Sequence, residues 1–501
     1  KINKMPWGIK LLNNPNKMLF FTNFKLPFFT KIILLFFPLI IHNPFFSIGS
    51  EVIKSLDFSD NGPIFLSKQQ IKDDLNQASS LFGDNYIRYR VFENNGINWE
   101  VVFQKLESLT LKDKNPILTH HFQKKLIKAL EFTEDSNIQA DLFLKKRHYI
   151  QRVEPKAAFY TGIKLAQQQK RFRVLPGLGQ KKNIINHSFI NCSNSQEVFF
   201  PILPQRQAEL LFMLGMQSNQ QHENLKCKFE SESGLKRETL LPLFFSESEI
   251  NFEESRIFKY VNGRIPYLRW YRDGKNEENE VKKFYKLAKK LRKSRDLIID
   301  VRGNKNGSFR FIEKWLGEYT KSHWKNVIIR ERQTIPILKG LLNRVQWNLY
   351  HGSHHLIGKR QLEQKREQLR NLIYHFIEKG HDQKWIETKF IFNGKKNSPE
   401  WETHLIIIAN NHCGNGCQFL AALTKQIPYG TLIGKNTGSF PKNSFKPIFQ
   451  LSNSKIMLTF ENKLHLNHLG EPVSTSGYHP DYWLFSPMGF TEVMRYANKK
   501  K

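Results

Sequence analysis

Cysteine is scarce in this chain: four among 501 residues are too few for a scaffold built on disulfides, and no pair of CxxC motifs marks a structural zinc site. Acidic residues are also in short supply, 45 Asp and Glu against 77 Lys and Arg, which leaves a formal net charge of +32. No apolar run reaches the roughly 20 residues that a membrane span needs. Zinc-finger spacing, an RNP motif and a basic region leading into heptads are all absent. The stretch from Asp141 to Glu254 shows no internal repeat and no Gly-Leu-Gly-Phe loop of the PDZ type. The basic charge therefore comes without a recognition motif. Lysines are spread over the whole length among Asn, Ile and Phe, which predicts solubility and weak adhesion to anions. Specific nucleic-acid binding is not expected, although a basic nucleic-acid-binding protein stays open as an alternative.

What is present is apolar and aromatic. A hydrophobic share of 40% with 41 Phe excludes global disorder, because such a chain can bury enough surface to offset about 1–2 kcal/mol of backbone entropy per residue. At about 150 residues per domain the length allows two or three domains. The sequence begins at Lys1, with Met5 or Met18 the expected initiator. After Met18, Lys25 and Lys31 precede the apolar run Ile32 to Ile41 and the small residues Ser47, Gly49 and Ser50, the layout of a secretory signal peptide. A leader over 1–50 is expected, with export to the periplasm, the outer surface or the medium. Membrane contact is then expected only through an uncleaved leader. In an oxidising compartment Cys192 and Cys227 are candidates to pair, a question that spacing leaves open.

Apolar residues recur at three and four over Asn98–Leu109 and His121–Leu130, which predicts a helical domain over 51–145. Residues 146–256 read as a mixed α/β region, with β-like runs at Val198–Leu203 and Leu240–Phe245. From 257 to 501 the grammar is that of an α/β core. A strand at Arg264–Trp270 is followed by an amphipathic helix, Val281–Arg292, with Phe284, Leu287 and Leu291 on one face. The buried strand Leu297–Val301 then leads through the turn Arg302–Ser308 into a helix through Trp315. The same order returns as the strand His404–Ala409, a Gly-containing elbow, the helix Gln418–Lys425 and the strand Gly430–Gly434. Between them, within 351–380, the charged helix Lys359–Phe376 reads as an inserted arm with a solvent face. His351, His354 and His355 cluster there, but no carboxylate stands at helical spacing beside them, so a solvated loop is expected and no metal.

Three stretches carry most of the information: Leu297 to Gly307, a strand ending in Asp300 and Arg302 before a Gly/Asn turn; His404 to Leu423, a strand turning sharply into a helix; and Thr431 to Gly438. In this order they resemble the catalytic core of the S41 serine peptidases, the family of carboxy-terminal processing proteases and the tricorn core protease. Gly263 to Leu268 and Gly477 to Tyr482, the latter with Asp481, match the family's opening strand and its late Gly-x-x-Pro-Asp segment. The resemblance implies a crotonase-like (ClpP-like) superhelical α/β core and peptide-bond hydrolysis through an acyl-enzyme, with no cofactor.

That chemistry needs a nucleophile at the elbow, a base, and N–H groups for an oxyanion. Aligned on the family's elbow, the nucleophile position falls on Asn415 and the glutamate position on Gln418, with Gly416 between them. The processing proteases' lysine falls on Phe440, and the tricorn-type histidine on Asn137, in Asp135-Ser136-Asn137. The oxyanion turn reads Asn306-Gly307, while Gly434 and Thr437 keep the family's residues. Asp300 and Arg302 are expected to form a structural ion pair. The resemblance thus implies a degenerate member that binds a peptide, a protein's carboxy-terminal segment or an apolar small molecule. The alternative keeps catalysis, through an unplaced nucleophile or through Cys413 or Cys417, which flank Asn415 beside His412 at the amino end of a helix. Local pairing of these two cysteines is the competing expectation.

Overall fold

The structure is a computed structural model. It describes residues 61–499 except 114, 145–146, 155, 170, 177–181, 194–196, 205–209, 219–221, 246–255, 262–263, 271–277, 293, 305–308, 321–323, 352–357, 382, 393–402, 415, 428, 439–444 and 486–488. The expected leader lies outside these residues. Ser55–Lys501 cluster as one compact unit.

In chain order the unit opens with β1 (Phe65–Leu66), α1 (Lys68–Asn85), α2 (Tyr89–Asn94), α3 (Trp99–Leu111), β2 (Ile117–Leu118) and α4 (Thr119–Ala129). Ser67 starts α1 with a capping box, its hydroxyl accepting from the Gln70 N–H while the Gln70 side chain accepts from the Ser67 N–H. Asn98 caps α3 through the Val101 N–H. The helices close over an aromatic cluster, in which Tyr89 stacks on Trp99 at 4.8 Å and Phe82 meets Phe460, far along the chain, also at 4.8 Å.

Ten strands follow: β3 (Gln139–Leu144), β4 (Arg147–Arg152), β5 (Ala157–Gln168), β6 (Arg171–Val174), β7 (Ser188–Cys192), β8 (Glu197–Ile202), β9 (Leu211–Ser218), β10 (Asn224–Glu230), β11 (Lys236–Pro242) and β12 (Phe244–Phe245). Residues 146–256, which sequence reads as mixed, are thus built from strands among the described residues, apart from the one-turn helix Lys182–Ile184. Strands β5–β12 form an eight-stranded sheet in the order β11-β10-β7-β6-β5-β9-β8, with β12 on β5. Cys192 and Cys227 stand directly opposite each other on β7 and β10 and are joined by a disulfide. The bridge closes a span of 35 residues, so loop-closure entropy predicts that Cys192→Ser with Cys227→Ser costs about 2–4 kcal/mol. A denaturant midpoint unchanged between parent and double variant would refute this.

The core comprises β13 (Arg256–Val261), β14 (Ile265–Trp270), α5 (Glu278–Leu291), β15 (Asp296–Asp300), α6 (Phe309–Thr320), β16 (Trp324–Thr334), α7 (Ile335–Tyr350), α8 (Lys359–Glu378), β17 (Gln383–Phe392), β18 (His404–Ala409), α9 (Gly416–Thr424), β19 (Gly430–Gly434), β20 (Ile448–Gln450), β21 (Met457–Thr459), β22 (Lys463–Leu466), β23 (Tyr482–Trp483) and α10 (Gly489–Lys499). Six strands form one sheet in the order β13-β14-β15-β18-β19-β23, parallel except for the β13–β14 pair. Both faces are covered, which is why its central strands read as unbroken apolar runs. Leu297, Ile299, Leu405 and Ile407 point into a cluster with Leu291, Trp315 and Leu420 of the helices. The alternate residues Ile298, Ile406 and Ile408 pack with Val493, Met494 and Tyr496 of α10.

The charged helix departs from the expected solvent arm. Leu362, Leu369, Ile373 and Phe376 form a buried stripe on α8, which packs against α7, and the pair of helices is carried between the antiparallel strands β16 and β17. A sequence dominated by Lys, Glu, Arg and Gln hid a stripe of only four apolar positions.

Candidate functional site

Five segments meet at the carboxyl ends of the parallel strands. The turn after β15 comes first. Asp300 is buried and accepts two bonds from the Arg302 guanidinium, at 2.9 Å from Nε and 2.7 Å from Nη2. The Tyr267 hydroxyl donates to the same carboxylate at 3.0 Å, and burial, followed by the Asp300 charge, raises its pKa. Arg302 is held above its ordinary value: burial alone lowers it, but the hydrogen bonds and charge of Asp300 outweigh that. The pair fixes the start of the turn.

The elbow after β18 locks onto this turn. The Asn410 side-chain oxygen accepts from the Gly303 N–H at 3.0 Å, and the Gly414 N–H donates to the Asn304 carbonyl at 3.0 Å. The elbow also holds the loop after β19, where the Gly438 N–H donates to the Cys413 carbonyl at 3.0 Å. Thr437 then ties in the fourth segment, its hydroxyl accepting from the Tyr478 N–H at 2.8 Å and its own N–H donating to the Tyr478 carbonyl at 3.0 Å. Asp481 accepts from the Leu432 N–H at 2.7 Å and pairs with Lys425. Through Thr475, whose hydroxyl donates to the Thr133 carbonyl at 3.0 Å, that segment reaches the fifth, residues 133–137.

The structure therefore links the segment of Asn137, through Thr475, to the segment of Tyr478. Asn137 is buried, and its N–H donates to Asp135, whose other oxygen accepts from the Tyr86 hydroxyl at 2.8 Å. Gln418, fully buried in the first turn of α9, donates its amide to the Gly438 carbonyl, while its side-chain oxygen has no partner among the described residues. Gly416 begins α9. Gly434 ends β19 with φ +125°, directly against the Ala409 carbonyl. Asn415, Phe440, Asn306 and Gly307, and with them His354 and His355, lie outside the described residues.

The sulfur alternative is corrected by the geometry. Cys413 and Cys417 are both buried and joined to each other in a disulfide, so neither is a thiolate, and the bridge brackets the nucleophile position. Sequence reasoning missed Asn410, Asn304 and Tyr478, which tie these loops to one another. Only Asn410 had a local signal, as a polar residue immediately after a buried strand. Among the described residues no group of three or more His, Cys, Asp or Glu stands close enough to hold a metal ion, and no helix is long and apolar enough to cross a membrane.

A doubly covered parallel sheet with a strand–elbow–helix at its carboxyl edge defines an α/β protein, in which ligands bind outside the carboxyl ends of the strands. Residues 264–484 match the model of peptidase family S41. Solved structures similar to the chain include mature CPAF complexed with lactacystin, at 11% identity over 86% of this chain and 97% of that one, with a TM-score of 0.40. The photosystem II D1 C-terminal processing protease matches at 13% identity over 86% and 97%, TM-score 0.30. The tricorn protease matches at 12% identity over 87% of this chain and 37% of its own, TM-score 0.32. Likeness at that level says nothing about chemistry. Among curated proteins none matches.

Proposed function

We propose that this protein is an exported S41-family member whose cleft binds a ligand without cutting it. The observation that carries this reading is the Cys413–Cys417 disulfide: it takes both nearby sulfurs out of use on either side of a position where the sequence has Asn, whose amide is no nucleophile. Asn137 and Gln418 add to it, since neither amide side chain is a base. The paired state of all four cysteines supports an oxidising compartment, and with the amino-terminal layout it supports export. The ligand we favour is an extended peptide or a protein's carboxy-terminal segment, held by strand edges and apolar pockets, with an apolar small molecule as the second choice. We read the core as the crotonase-like superhelical type and residues 68–133 as its helical domain.

Purified protein should not turn over unfolded protein or carboxy-terminal peptide substrates above a buffer blank. Asn415→Ser with Phe440→Lys should add little, because the parts of such a site act as a unit and Gln418 remains. Hydrolysis that disappears on Asn415→Ala would sink the reading. Loss of hydrolysis only on Cys413→Ala or Cys417→Ala would instead restore the sulfur route.

A further inference from the structure

The four-stranded sheet β20-β21-β3-β4 ends on β4, and among the described residues no further strand pairs with that edge. The register says which of its backbone groups face outward. Val153, one residue past β4, donates its N–H to the Ile138 carbonyl at 3.1 Å, and β3 runs on from there with Gln139 opposite Arg152, Asp141 opposite Ile150 and Phe143 opposite His148. In an antiparallel pair, hydrogen-bonded and non-hydrogen-bonded couples alternate, so these three are the couples without mutual bonds. His148, Ile150 and Arg152 therefore turn their N–H and C=O groups away from β3. The Phe143 carbonyl agrees, since it accepts from the Gly62 N–H at 3.0 Å instead of from β4. Gln123 of α4 donates to the Ala140 and Tyr149 carbonyls at 2.9 and 3.0 Å, and neither belongs to the outward set.

The same alternation puts the His148, Ile150 and Arg152 side chains on one face. There the His148 ring stacks on Phe143 at 4.1 Å, with Trp347 of α7 6.5 Å away. Ile150, midway, is 45% exposed, and Arg152 is exposed beyond it. Asp141, the one acid of β3 and β4, already accepts from His148 at 2.9 Å and from Gln139 at 2.7 Å. In sequence, residues 145–153 hold Lys145, Lys146, Arg147 and Arg152 and no Asp or Glu. A bare strand edge is a template for any extended chain, and unopposed cations along it narrow the choice. A second copy of β4 would bring like charges together, whereas an acidic strand neutralises them.

We propose that the free edge of β4 is a docking site for an extended acidic segment of a partner protein, which joins the sheet as a fifth strand with acid, apolar residue and acid at alternate positions. The apolar residue lies beside Ile150, one acid beside Arg152, and the other at the end where His148 and Arg147 stand. Backbone hydrogen bonds to the outward groups supply affinity, and the side chains select the partner. The site goes beyond cleft binding, because β4 carries none of the elbow residues.

Fluorescence anisotropy of a fluorescein-labelled peptide, Thr-Glu-Thr-Val-Thr-Glu-Thr with blocked ends, titrated with the full chain, tests this. Saturable binding is expected, and Lys in place of both Glu should abolish it. Ile150→Pro is the sharpest variant. Its ring removes an N–H that faces away from β3, which an edge strand tolerates, yet it takes from the peptide the central donor of the edge. The variant should keep the parent's circular dichroism and lose the peptide. Should it fail to fold, the exposed change Arg152→Glu should weaken binding about tenfold or more. Methylating the peptide's backbone amides should abolish binding to the parent with every charge still in place. No saturable binding to the parent, equal binding of the Lys peptide or the methylated one, or full binding by folded Ile150→Pro would each overturn the proposal. A dimer of the parent that Ile150→Pro dissolves would assign the edge to a second copy, and an oligodeoxythymidine that binds more tightly than the peptide would assign it to nucleic acid; either result overturns it as well.

Discussion

Gly477→Ala should destabilise the protein by about 3–5 kcal/mol, whereas Gly470→Ala should cost only about 1 kcal/mol. The two glycines have nearly the same backbone, with φ +85° at Gly477 and +84° at Gly470, so the left-handed strain on a side chain is common to both. What differs is space. A Cβ at Gly470 meets nothing within 4 Å, but at Gly477 it falls 2.4 Å from the Gly438 carbonyl oxygen, 2.4 Å from the Thr437 hydroxyl and 2.5 Å from the Thr437 carbonyl oxygen. Two of these are backbone atoms of the loop that Cys413 holds, so they do not give way as a flexible side chain would. Relief requires the Thr437–Tyr478 hydrogen bonds to lengthen, which moves one wall of the cleft from the elbow. Denaturant unfolding of the two variants measures the difference, and equal midpoints would show that the cleft wall is soft.

That wall explains what was legible in the sequence. Strands β18 and β19 fall on the residues predicted, His404–Ala409 and Gly430–Gly434, because both faces of a parallel sheet are covered and the strands become short apolar blocks ended by Asn410 and Gly434. The helices around Trp99 and Phe122 were readable for the complementary reason, a regular stripe against one neighbour. The eight-stranded sheet was not. Strands such as Asn224–Glu230 alternate buried Leu225, Cys227 and Phe229 with exposed lysines, and the same composition of Lys, Asn and Phe fills the loops around them. The motifs placed the elbow, Gly434, Thr437 and Asp481, since each needs a residue type at a fixed offset in the chain. His465 owes its interest to a neighbour more than three hundred residues away, Arg88, and no local pattern records that.

Burial, with that distant neighbour, makes His465 a source of acid sensitivity. It sits on β22 opposite Ile329, is 2% exposed, and its carbonyl accepts from the Val473 N–H at 2.9 Å. Arg88 belongs to the same environment, since its guanidinium donates to the Val473 carbonyl at 2.7 Å. Burial, reinforced by Arg88 and Lys463, pushes the imidazole from 6.5 down to about 3. The folded protein thus keeps His465 neutral where the unfolded chain protonates it. The stability tied to that neutrality is complete above pH 6.5, falls as the pH drops below 6.5, and is exhausted near pH 3. Across the full window the loss is on the order of 5 kcal/mol, of which about 3 kcal/mol should appear between pH 7.5 and 4.5. His465→Gln removes the titration while keeping a neutral polar side chain, so the variant should lose about that much less over the same interval, whatever its stability at pH 7.5. Carboxylates and the other histidines titrate alike in both proteins and cancel in the comparison. Denaturant unfolding of parent and variant at the two pH values decides it: parallel losses would mean that His465 takes up its proton in the folded state as readily as in the unfolded one, and that its surroundings beside Arg88 open to water.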